Sequence, residues 1–173
     1  MALSPNELQL ISTIAGGLLA IAGGVSSTYF IEKWKNKRLE TNLAWAFYGE
    51  VNSICQIVRK KEYVANFKEC GEDLRNGKEV NRQAVKADNE YFHIFKTNAS
   101  NIGMLSHNLP VKLVSFYAYG TSALEDISAL STGFHNDKSN EAIAEYFDSI
   151  GEMFYQLLSK GDEIVQIIEH RYS

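Results

Sequence analysis

Glu90 and His93 stand three residues apart, the spacing that places a carboxylate and an imidazole on one face of a helix as half of a carboxylate-bridged di-metal site. Such a site needs a second Glu-x-x-His and two more inward glutamates, and the sequence has no second copy. His107 and His135 fall in stretches that read as loops, and His170 follows Glu169 near the C-terminus without metal-ligand spacing. A nucleophilic Cys–His pair would draw on Cys55 or Cys70, but no motif supports one, and both are expected to be structural thiols. Glycine-rich phosphate loops, a dinucleotide fingerprint and a serine elbow are all missing. The expectation is therefore no enzyme, no catalytic residue, no metal ligand and no cofactor. Arg59, Lys60 and Lys61 read as the solvated face of a helix, and Tyr117 and Tyr119 beside Gly120 as core and rim aromatics.

The strongest chemistry in the chain is that of a lipid-facing helix. No charged residue occurs between Glu7 and Glu32. As a helix, the 22 residues 10–31 would extend about 33 Å at ~1.5 Å each, against a hydrocarbon core of ~30 Å. Ser4, Pro5 and Glu7 supply an N-cap, a proline at the first helical position and a capping-box carboxylate, so the helix is predicted to start at Pro5. Tyr29, Phe30 and Trp34 suit a membrane interface, and Lys33, Lys35, Lys37 and Arg38 sit at headgroup level beyond them. Positive charge follows the apolar run instead of preceding it, which argues against a secretory signal peptide. By the positive-inside rule the N-terminus is expected outside and the rest of the chain in the cytoplasm, as a single-pass membrane protein. Cys55 and Cys70 then stay reduced.

Only nine of the 22 residues are strongly apolar, so insertion alone is weakly driven; the competing reading is a glycine-rich helix buried in a protein without a membrane span. Ser12, Gly16, Ala20, Gly24 and Thr28 recur every four residues and form a stripe of small side chains, the arrangement that lets two helix backbones approach in lipid. The pairs Gly16-Gly17 and Gly23-Gly24 repeat at seven, which leaves the handedness of such a crossing open. Self-association or docking to another membrane helix is the functional reading of this stripe, and a lone anchor is the plain one.

These features fix the elements that must carry them. Nothing between Val25 and Tyr48 breaks a helix, so residues 32–42 read as a basic helical stalk leading into a bundle over 43–173. Leu43, Phe47, Val51, Ile54 and Val58 step by three and four, predicting a buried stripe on a helix that runs to about Phe67. Gly49 lies inside it, and a close neighbouring helix is the expected reason. Between residues 70 and 89 periodicity fades into a predicted polar loop. A short helix follows around Tyr91–Phe95, ending in a turn at Gly103. Pro110 near the first position, with Asn108 or Leu109 as cap, opens a third element whose inward face holds Leu113, Phe116, Tyr117, Gly120, Leu124, Ile127 and Leu130. Ser139 caps the last and clearest helix, with Ile143, Phe147, Ile150, Phe154, Leu157, Ile164 and Ile168 as its seam, interrupted at Gly161. The fold class expected is all-α: a transmembrane helix over residues 1–31 with its cap, continuing into an antiparallel bundle of three long helices and one short.

The run from Phe95 to Leu105, then Leu109-Pro110 and Val114-Ser115-Phe116-Tyr117, together with Phe47–Glu50, resembles a pattern in small uncharacterised bacterial proteins with one N-terminal membrane helix. The resemblance covers about half the chain and implies the anchored helical architecture, with no activity attached. Composition agrees with one ordinary domain: 173 residues, 45% hydrophobic and 22% charged, with only 2 Pro and 2 Cys, exclude a disordered chain, a collagen and a disulfide scaffold. A net charge of −4 argues against nucleic acid as a partner. That charge divides unevenly: four basic and two acidic residues give 32–40 a charge of +2, while 41–173 carry −5. The expected function is a membrane-tethered interaction or regulatory module, with lipid, a second copy or another membrane protein, and an unidentified cytosolic protein as partners. The alternative is a defence or toxin effector that permeabilises the bilayer on assembly.

Overall fold

A computed structural model describes residues 5–80, 89–132 and 137–172, with the side chains of 5–28 and of 89–90 outside that description. Among the described residues the chain is helical and contains no strand. The elements are α1 (Pro5–Lys60), α2 (Tyr63–Arg75), α3 (His93–Asn98), α4 (Leu109–Ser131) and α5 (Asn140–Tyr172), with 3₁₀ segments Asn89–Phe92 and Ala99–Met104 flanking α3. Packing divides the chain into two units, Met1–Thr41 and Asn42–Ser173.

In the second unit α5 is the central member and packs against both α2 and α4. Its amphipathic pattern is the reason: Ile143, Phe147, Ile150, Phe154, Leu157, Ile164 and Ile168 are all buried on one side. Ser139 caps it, its Oγ accepting from the Ala142 N–H at 3.3 Å. Phe47, Val51, Ile54 and Val58 of α1 are buried as their spacing requires. Gly161 does not interrupt the α5 seam. It is buried where α1 and α4 close on α5, and a Cβ there would collide with Cys55 Sγ and come within 3.1 Å of the Phe116 ring.

Three further expectations are corrected. The first bundle helix does not run to Phe67: α1 ends at Lys60, Glu62 takes a left-handed conformation with φ of 52°, and α2 starts at Tyr63. This break redirects the chain so that Phe67 stacks on Phe154 of α5, ring centroids 5.8 Å apart. The polar segment from residue 70 is not loop throughout. Helix α2 continues to Arg75, burying Gly71 and Leu74 toward α5 while Glu72 and Asp73 take the other side. It stops at Gly77, φ 75°, where Gly77 N–H donates to Leu74 O at 3.1 Å and Lys78 N–H to Asp73 O at 2.9 Å, a glycine-centred helix stop. The periodicity was hard to read because a single-turn stripe among charged residues leaves few apolar positions to count. Finally, Gly49 is exposed and nothing lies within 4 Å of a Cβ built on it, so no helix approaches there.

Among the described residues the bundle therefore has four substantial helical members where three long ones were expected, with α3 and its 3₁₀ flanks as a short strap that contributes Phe92, Ile102 and Leu105 to the core. Ion pairs and polar contacts tie the outer helices to α5. Arg59 of α1 grips Asp162 through both carboxylate oxygens at 2.6 and 2.7 Å, and Tyr48 donates to Glu169 at 2.8 Å. Arg75 of α2 pairs with Asp148 and, at 3.2 Å, with Glu141, and Lys112 of α4 pairs with Glu163.

Candidate interface segment and the part-buried Glu50 carboxylate

Among the described residues the first unit bears large exposed apolar side chains. Tyr29, Phe30, Ile31 and Trp34 are 60%, 67%, 53% and 64% exposed, and Leu39 is exposed as well. At about 100° per residue Tyr29, Phe30, Trp34 and Ile31 spread over roughly 200° of α1, with Leu39 further along on the remaining side. A helix packing on one neighbour shows a single narrower apolar stripe, whereas an arc this wide is covered by an apolar medium or by more than one protein neighbour. Lys33, Lys35, Lys37 and Arg38 are exposed beside them, and none has an ion-pair partner among the described residues. The Arg38 guanidinium lies over the Trp34 ring, 5.1 Å from its centroid, a cation–π contact one helical turn long.

The small-residue stripe falls on α1, but the side chains of Ser12, Gly16, Ala20, Gly24 and Thr28 lie outside the described residues. Among the described residues no helix is long and apolar enough to cross a membrane; the side chains of most of the span expected at 10–31 lie outside that description.

Within the bundle the most constrained polar group is Glu50, at the edge of the α1 stripe. Its carboxylate accepts from Ile94 N–H at 2.6 Å, Phe95 N–H at 3.1 Å and the Tyr117 hydroxyl at 2.5 Å. The two amides belong to the first turn of α3, which has no side-chain cap of its own, so a carboxylate from α1 satisfies donors the short helix cannot. Tyr117 is almost fully buried, its ring stacked on Phe95 at 4.0 Å and edge-on to Phe92 at 5.4 Å. Burial first, and the Glu50 hydrogen bond second, hold its phenol far above the ordinary range. A phenol so placed keeps its proton and is not a nucleophile. Glu50 is a clip that fastens the strap, joining α1, α3 and α4. Sequence reasoning placed Tyr117 in the core but missed Glu50; its signal was a carboxylate abutting Val51 in the middle of a buried stripe, where an unpartnered charge would be costly.

The other chemistry-bearing residues do not converge. His93 is exposed on α3, His170 is exposed near the end of α5, and His107, with φ of 61°, shares a 2.5 Å contact with Arg171. His135 and the Glu90 side chain lie outside the described residues. Among the described residues no group of three His, Cys, Asp or Glu side chains is arranged to hold a metal ion. Cys55 and Cys70 are free thiols; burial pushes Cys55 up to about 11, with Asp162 raising and Arg59 lowering it. Arg59, Lys60 and Lys61 are exposed as a solvated face requires, and Arg59 pairs there with Asp162. An apolar cleft of about 560 Å³, counted with the solvent at its mouth, opens between Ile57, Tyr63, Tyr91, Leu124 and Phe154, and offers apolar contact but no reactive group. No protein-family model, curated protein or solved structure matches the chain.

Proposed function

We propose that this chain is a membrane-tethered interaction module: residues 1–31 anchor it in the bilayer and associate through the small-residue stripe, and the helical unit from Asn42 onward binds a protein partner. The observation that carries the reading is the exposure of Tyr29, Phe30, Ile31 and Trp34 over more than half the circumference of α1, beside Lys33, Lys35, Lys37 and Arg38, which have no ion-pair partner among the described residues. A single docking face cannot cover these side chains, and the edge of a hydrocarbon core can. The anchor enters with its N-terminus outside and the cations on the cytoplasmic side of a bacterial inner membrane. Ser12, Gly16, Ala20, Gly24 and Thr28 recur at the four-residue interval that permits close backbone approach, so the anchor pairs with a second copy or another membrane helix.

The test is a double substitution, Gly16→Leu with Gly24→Leu, in the full chain. Both changes add apolar surface and so preserve insertion, while filling the stripe. Cross-linking in native membranes is expected to capture an oligomer or a membrane partner with the parent chain and to lose it with the variant. Identical cross-linking by both chains overturns the stripe.

A further inference from the structure

We propose that Lys33, Lys35, Lys37 and Arg38 form a collar that gathers the phosphate-bearing headgroups of anionic lipids around α1, with the Trp34 ring seated among them. The inference rests on the membrane-anchor reading and adds to it the chemistry of the lipid. At about 100° per residue the order around the helix is Lys33, Lys37, Arg38, Lys35, covering more than half the circumference. An acidic peptide or protein surface approaches from one side and meets at most two or three of these groups. Headgroups in a leaflet surround the helix and meet all four. The apolar ring of Tyr29, Phe30 and Ile31 lies one turn toward the N-terminus, so the cations fall where glycerophosphates begin and not within the acyl chains.

Charge complementarity carries the choice of an anionic lipid over a zwitterionic one. The segment 32–40 is +2 in a chain of net charge −4, and its four cations have no ion-pair partner among the described residues. Arg38 is held over Trp34, which sets the guanidinium and the interfacial ring at one depth and leaves the guanidinium edge free to donate to a phosphate. The −5 carried by residues 41–173 also disfavours a purely electrostatic attraction of the whole chain to an anionic bilayer, so lipid selection is a local property of the collar.

The chain contains only two tryptophans, so Trp45→Phe leaves Trp34 as the sole indole reporter at the collar. The full chain carrying that substitution is reconstituted in bilayers that mix phosphatidylglycerol and phosphatidylcholine in equal amounts. Trp34 emission is then compared with bromine carried on one lipid or on the other. The collar predicts quenching at least about twofold stronger from the brominated phosphatidylglycerol, an excess that shrinks as salt rises to ~0.5 M and disappears when the four cations are replaced by Gln. The salt series needs no change in the collar, so it stands even where the quadruple variant inserts poorly. Equal quenching by both brominated lipids overturns the collar and leaves the anchor standing. Absence of quenching by either, with the chain recovered outside the bilayer, overturns the anchor and the collar together.

Discussion

At the scale of single residues, the Glu50–Tyr117 pair shows what the chain invests in its strap. Tyr117→Phe keeps the ring on Phe95 and removes only the hydroxyl, leaving Glu50 one donor short in a partly buried site. A loss of about 1–3 kcal/mol in unfolding free energy is expected, read by denaturant titration. The same phenol gives a pH signature. Tyr117, Tyr146 and Cys55 are all raised in the folded chain, each chiefly by burial, with Cys55 near 11 and Tyr146 near 12. Their stabilisation is complete below the unfolded values of 9.0 for cysteine and 10.0 for tyrosine, and is lost as the pH climbs through the folded ones. Unfolding free energy should therefore be flat near neutrality and fall above about pH 9–10, more gently in Tyr117→Phe, because one proton fewer is retained by the folded state alone. An unchanged alkaline slope in that variant would show that Tyr117 ionises as easily folded as unfolded. Tyr117 was legible as a core residue from its place on the α4 face. Its partner was not, since helical spacing marks apolar positions and is silent on a carboxylate that finds three donors only through tertiary contact.

Among the helical elements, three glycines in helical surroundings do different jobs that composition cannot separate. Gly49 is exposed with open space around it, so Gly49→Ala should raise stability by up to about 1 kcal/mol through helix propensity alone. Gly161 is the opposite case: Gly161→Ala drives a methyl into Cys55 and should cost about 1–3 kcal/mol from overpacking, with Cys55→Ala in the same chain restoring part of the loss. Thermal unfolding of the four chains separates these signs, and a stabilising Gly161→Ala would contradict the close approach of α1 and α5. Gly77 at φ 75° ends α2, and this stop was visible as Asn76-Gly77-Lys78 while the helix before it was not. The long helices α4 and α5 were readable because twenty or more residues repeat one face; α2, with 13 residues and three buried positions, was too short for its pattern to rise above its charges. The break at Glu62 carried no signal at all, as neither glycine nor proline marks it and only the packing of Phe67 on α5 requires it.

For the whole molecule, the two units differ in how they treat apolar side chains. The unit from Asn42 onward is held by an apolar core and by ion pairs that converge on α5, whereas the unit before it exposes aromatic side chains that water would not favour. The all-helical class was legible from periodicity; what a helix face actually touches was not, because spacing places a residue on a surface without saying what covers it. The central claim is that the bilayer covers this one. It is tested most directly by the topology of the full chain carrying Ser4→Cys, with Cys70 as the internal reporter and the buried Cys55 silent. In intact cells a membrane-impermeant maleimide should label position 4, whereas Cys70 should react only after the inner membrane is opened, and the chain should stay in the membrane pellet on alkaline extraction. Labelling of Cys70 in intact cells, or recovery of the chain in the supernatant, would contradict the account.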